Sequence, residues 1–111
     1  KLSEPVEQIR SAILRDYNRT EFSPDQVIRR MPFHYDYLRK RFKQEIGQSP
    51  LEYLTALRME QAGKLLAARR ETGYTVAQIA RLCGYEDALY FSRVFKKHYG
   101  CTPRGLKNYG K

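Results

Sequence analysis

An all-α fold of about seven helices is predicted for this 111-residue chain by three observations. Apolar residues recur at helical spacing, and no segment sustains strand-like alternation. Three stretches carry helix-start signatures: "SPDQ" at 23–26, "SPLE" at 49–52 and "TVAQ" at 75–78. Finally, "YLRKRFKQEIGQSP" (37–50) returns as "YFSRVFKKHYGCTP" (90–103), 53 residues later. Tyr37/Tyr90, Phe42/Phe95, Lys43/Lys96, Gly47/Gly100 and Pro50/Pro103 are identical, so one supersecondary unit is used twice.

The expected helices run 4–17, 24–31, 35–46, 50–68, 76–82, 87–98 and 103–108. The first places Val6, Ile9, Ile13 and Leu14 on one face, with Tyr17 near its end. The second begins at Ser23 as N-cap, with Pro24 at the first helical position and Gln26 closing a capping box, and turns Val27, Ile28 and Met31 inward. The third anchors through Leu38, Phe42 and Ile46. The fourth is the longest, opened by a Ser49/Glu52 box, with Leu51, Leu54, Leu57, Met59, Ala62, Leu65 and Leu66 mostly on one stripe. "RRETGY" (69–74) is the natural break between halves, with Gly73 suited to a left-handed turn. The fifth helix, boxed by Thr75 and Gln78, buries Val76, Ile79, Ala80 and Leu82, and Gly84 supplies the positive φ of a sharp turn. The sixth buries Phe91, Val94, Phe95 and Tyr99.

Charge narrows the function. A net charge of +9 fits attraction to a polyanion, with nucleic acid ahead of lipid. No apolar run reaches the ~20 residues of a membrane span, and no signal-peptide pattern is present. Cys83 and Cys101 form no metal-ligand cluster with His34 or His98; they read as small hydrophobes in a reducing cytoplasm. No Ser/His/Asp set, ligand cluster or phosphate-cradling glycine loop is apparent, so neither an enzyme nor a cofactor is expected. The first Met is Met31, so the chain reads as an excised fragment.

In each half a short helix, a turn and a longer basic helix follow one another. Behind Phe91 and Phe95 the opposite face carries Ala88, Leu89, Ser92, Arg93, Lys96 and Lys97; behind Leu38 and Phe42 it carries Asp36, Arg39, Lys40 and Lys43. A basic, exposed second helix is what entry into the major groove requires. The first unit has Pro32 where Gly84 stands in the second, and Ile28 where Ala80 stands, so its turn should be looser.

The stretch "IARLCGYEDALYFSRVFKKHYGCTP", with "YLRKRFKQEIGQSPLEYLTALRMEQAGKLL", resembles the AraC/XylS-type bacterial transcription regulators over about 20–111. Ile28 and Pro32 depart from that pattern, and so does Leu106–Lys107, which stands where an aromatic–Arg pair is usual. The resemblance implies two helix-turn-helix subdomains, 1–48 and 70–111, built like homeodomain units and joined by a long linker helix at 49–69. It also implies sequence-specific binding of double-stranded DNA by the output domain of such a regulator, an activator, with recognition helices in adjacent major grooves and an effector or dimerisation domain upstream. A 19-residue linker helix would span ~28 Å against ~34 Å for one turn of B-DNA. Matched by position, the family's base-facing sites fall on Asp36, Arg39 and Lys40, and on Ala88, Leu89 and Arg93. Arg39 and Arg93 suit bidentate contact with guanine, and Ala88 and Leu89 suit thymine methyls. Asp36 suits a cytosine amino group or the orienting of Arg39 or Lys40. His34, Lys43, Ser92, Lys96 and Lys97 suit phosphates, which hold register without reading sequence. Arg58 is expected to act within the molecule. RNA polymerase is a candidate second partner, and a module that docks only an acidic protein, such as a polymerase subunit, is the competing reading.

Overall fold

The computed structural model describes residues 1–106 and contains, among them, seven helices and no strand. These are α1 (Glu4–Asp16), α2 (Pro24–Ile28), α3 (Tyr35–Ile46), α4 (Pro50–Ala67), α5 (Arg69–Thr72), α6 (Val76–Leu82) and α7 (Ala88–Tyr99). They fall into two compact units. The first comprises Lys1–Tyr17 and Glu21–Leu57; the second comprises Asn18–Thr20 and the chain from Arg58 onward.

The first unit closes around Val6, Ile9 and Ile13 of α1, Ile28 of α2, Leu38 and Phe42 of α3, and Leu54 of α4. Six of these seven have no exposed surface, and each such side chain contributes about 1.5–3 kcal/mol by leaving water. The Tyr53 ring meets Phe42 edge to face at 5.8 Å. Polar contacts also tie α1 to α3: the Ser3 N–H donates to Glu45 Oε1 at 2.7 Å, and Arg41 Nε donates to Glu45 Oε2. The Ser3 amide first, and the Arg41 guanidinium next, hold the Glu45 carboxyl down to about 2.

The second unit packs Met59, Ala62 and Leu66 of α4 against Ile79, Ala80, Cys83, Tyr85, Phe91 and Phe95. The turn after α6 follows from Gly84, whose φ of 104° is a left-handed conformation that only glycine adopts cheaply. It lets the Tyr85 N–H reach back to the Ala80 carbonyl at 2.7 Å, satisfying an acceptor that the helix end would leave unpaired. Burial pushes the Cys83 thiol up to about 12, which keeps it a neutral, inert part of the core. Arg58, nearly buried, donates to the Arg19 carbonyl at 3.1 Å and lies 5.1 Å from the centre of the Tyr85 ring, the intramolecular role expected of it.

Several sequence expectations need correction. Residues 69–74 contain a single helical turn, α5, before Gly73 adopts the expected left-handed conformation. Residues 103–105 form a turn rather than the start of a helix, because Thr102 Oγ1 and the Thr102 carbonyl both accept from the Gly105 N–H. Leu106 is not helical either, and residues 107–108 of the expected helix lie outside the described residues. Helix α2 stops at Ile28, and Gln26 donates to the Glu21 carbonyl at 3.1 Å instead of closing a box with Ser23. The boxes at Ser49/Glu52 and Thr75/Gln78 are both formed. Leu82 is 45% exposed because the inward side is set by Ile79, Ala80 and Cys83, and Leu82 lies beyond Ile79, about 100° around the helix from Cys83. Leu51 and Leu14 face outward for the same kind of reason, beside buried Leu54 and Ile13.

The Glu45 contacts make a pH-dependent contribution to stability. Its folded carboxyl lies near 2 and an unfolded one near 4.5, so the stabilisation is complete above 4.5 and disappears as pH falls toward 2. Chemical unfolding from pH 6 to pH 2 should show Glu45→Gln less stable than the parent at pH 6, with the two curves converging near pH 2.

Candidate nucleic-acid interface

Helix α7 starts at Asp87, whose Oδ1 accepts from the Leu89 N–H at 2.8 Å and the Tyr90 N–H at 3.3 Å. The cap satisfies two orphaned donors and places a negative charge at the positive end of the helix dipole. Phe91 and Phe95, four residues apart, are fully buried, so the other side of the helix must face solvent. That side presents Leu89, 73% exposed, together with Arg93, Lys96 and Lys97. Ala88 and Ser92 sit half-buried at its margin. At the far end Tyr99 donates to the Met59 carbonyl at 2.9 Å, tying α7 to α4. Beside the start of α7 an open groove is lined by Arg58, Tyr85, Asp87, Leu89, Tyr90 and Arg93.

Helix α3 in the first unit follows the same plan. Its N-cap is His34, whose Nδ1 accepts from the Asp36 N–H at 3.2 Å. In the neutral ring the proton then resides on Nε2, leaving an N–H donor beside the start of the helix. Leu38 and Phe42 are buried, while Asp36, Arg39, Lys40 and Lys43 are exposed along the outer side. Arg41, by contrast, is taken up by Glu45 and the Tyr37 hydroxyl. The segment from α2 to α3, residues 29–34, contains no positive-φ residue, unlike the turn at Gly84.

Within each unit, the structure places the sequence-predicted residues on one helix and turns them away from its core; Ala88 and Ser92 are the two that are partly covered. Aromatic side chains that the sequence reading leaves unassigned stand at the same ends. Tyr37 and Tyr90, identical in the repeat, are 47% and 56% exposed, and Phe33 packs beside Tyr37 at 6.2 Å. Tyr35 touches both Arg29 and Arg39. For Tyr37 and Tyr90 the available signal is their identity in the repeat; Tyr35, matched by Ala88, has none.

A helix-turn-helix domain family profile matches residues 27–109. The transcriptional activator RhaR of Mannheimia succiniciproducens is 46% identical over 66 residues, which are 60% of this chain and 23% of RhaR. The C-terminal domain of AraT, a response regulator from Geobacillus stearothermophilus, superposes with a TM-score of 0.84 at 30% identity, over 100% of this chain and 94% of that one. The DNA-binding domain of AdpA, solved in complex with a target DNA, shares the fold, with a TM-score of 0.77 at 24% identity over 92% and 88% of the two chains. The chain therefore belongs to the AraC-type helix-turn-helix family. It matches about a fifth of the length of its curated relatives.

The Asp87 cap makes a measurable demand. Asp87→Ala leaves the Leu89 and Tyr90 amides without their acceptor and should cost about 1 kcal/mol in urea denaturation.

Proposed function

We propose that the chain is the output domain of a bacterial transcription activator and binds double-stranded DNA in a sequence-specific manner. On this reading α3 and α7 are the recognition helices, segments 1–48 and 70–111 are the two reading subdomains, and 49–69 is the helix that links them into adjacent major grooves. The observation that carries the proposal is the pair of basic outer faces, each set opposite a fully buried hydrophobic pair, Leu38/Phe42 and Phe91/Phe95. The family, the activator name carried by the RhaR relatives and the DNA-bound AdpA neighbour all support it.

The chemistry assigns distinct work to the exposed side chains. Arg93 and Arg39 offer two N–H groups in a planar fork that matches the O6 and N7 acceptors of guanine. Leu89, exposed and unable to hydrogen-bond, packs on a thymine methyl, as Ala88 does with less surface. Lys40 donates to base acceptors, and Asp36 accepts from a cytosine amino group. Lys43, Ser92, Lys96, Lys97 and the His34 ring meet phosphates and fix the register. Each phosphate contact releases condensed counterions, so affinity falls steeply with salt. Contact with RNA polymerase and an effector domain elsewhere in the protein complete the reading, in the cytoplasm.

Selection of bound duplexes from a random pool, followed by titration of the recovered site, tests it. Arg93→Ala should cost about 1–3 kcal/mol at one base pair and relax the preference there. Lys97→Ala should weaken binding to every sequence alike and lower the salt slope by about 1. An Arg93→Ala variant with unchanged base preference would overturn the assignment, and a module that docks only protein would recover no site at all.

A further inference from the structure

One cluster in the first unit has no counterpart in the second. The Tyr35 hydroxyl, in the first turn of α3, donates to Asp25 Oδ1 of α2 at 2.7 Å. The Arg29 guanidinium, just past the end of α2, lies 4.2 Å from the centre of the Tyr35 ring, and that of Arg39 lies 5.6 Å from it. Tyr35 and Arg39 are four residues apart on α3, as Asp25 and Arg29 are along α2, so helical spacing brings all four together. In the register that pairs Ile28 with Ala80 and Pro32 with Gly84, Asp25 and Arg29 match Ala77 and Arg81; in the register of the 53-residue repeat, Tyr35 and Arg39 match Ala88 and Ser92, so the second unit has neither the ring nor the acid at these places. Tyr35 is half-buried and Arg39 is exposed.

We infer that Tyr35 is a positioning residue: its ring, anchored to α2 through Asp25 and shared with Arg29, holds the Arg39 guanidinium in one orientation before DNA arrives. The inference rests on the proposal that Arg39 reads a base. An exposed arginine otherwise loses its rotamer freedom on binding, and this loss subtracts from the discrimination its hydrogen bonds provide. The ring attracts the cation through its negative face and removes part of the loss in advance. Asp25 has two effects. It fixes the ring by accepting a hydrogen bond from its hydroxyl, and its charge offsets the repulsion between two guanidiniums gathered at one ring. The hydrogen bond to Asp25 also raises the phenol above its ordinary value, so the hydroxyl remains a donor throughout the physiological range. The first unit thereby gains an ordered reader despite its longer connection between α2 and α3.

The test uses the full chain, a duplex recovered by selection, and single-base-pair variants of that duplex. Arg39→Ala first identifies the base pair it reads. Tyr35→Ala should reduce discrimination at that same base pair by roughly two- to fivefold, the size of an exposed cation–π contact. Discrimination at other base pairs and the salt slope should stay unchanged. Tyr35→Phe, which keeps the ring and loses the anchor, should fall between, and thermal unfolding checks that both variants remain folded. In the Tyr35→Ala/Arg39→Ala double variant the two effects on discrimination should not add. Additive effects, or a Tyr35→Ala loss spread evenly over all duplexes, would overturn the inference while leaving base reading by Arg39 intact. An Arg39→Ala variant with unchanged base preference would overturn both.

Discussion

The burial of two hydrophobic pairs, Leu38/Phe42 on α3 and Phe91/Phe95 on α7, is the constraint on which the rest of the molecule depends. Each helix has 12 residues, and helices of that length are marginal in water on their own. Their outer faces carry like charges that repel one another, Arg39, Lys40 and Lys43 on one and Arg93, Lys96 and Lys97 on the other. What holds these rods together is the packing of their inner faces. Each pair is spaced i, i+4 and so defines one side of the helix, and the opposite side is then obliged to meet solvent. In this way the geometry of a small core decides which cations are available to a ligand.

Local chemistry at the helix ends turns these faces into defined ones. Asp87 caps α7 with a charged oxygen that takes two amides, whereas His34 caps α3 with a ring nitrogen that takes one. Both helices end in a glycine with positive φ, Gly47 and Gly100, so each stops cleanly and the chain turns away. The two faces are not copies. On α7 a large apolar side chain, Leu89, stands four residues from Arg93. The matching place on α3 is taken by Asp36, four residues from Lys40. The repeat therefore preserves a framework while offering different chemistry at each reading position.

Local signals in the sequence were enough to place most of the fold. The bounds of α3 and α6 follow from periodicity, and the boxes at Ser49/Glu52 and Thr75/Gln78 form as their residue types imply. Where local patterns had competitors, other contacts decided. Gln26 had the right spacing from Ser23 but found the Glu21 carbonyl; Thr102 captured the Gly105 amide and made a turn. The apolar residues of α4 read mostly as one stripe with neighbours on both sides, and Leu54 joins one core while Met59, Ala62 and Leu66 join the other; Leu51 joins neither. Of the candidate interface, the exposed cations were legible because their inward neighbours are unmistakable. The Asp25–Tyr35–Arg39 cluster was not, because it joins two helices through a ring and a hydroxyl whose meeting no periodicity announces.

The claim that these two exposed faces are where DNA binds is tested most directly by following backbone amide resonances as a selected duplex is added. The largest shifts should fall along α3 and α7, at Arg39, Lys40 and Lys43 and at Ser92, Arg93, Lys96 and Lys97, and they should shrink together as salt rises. Shifts concentrated in α1 or α4, with those seven amides unmoved at saturation, would contradict it.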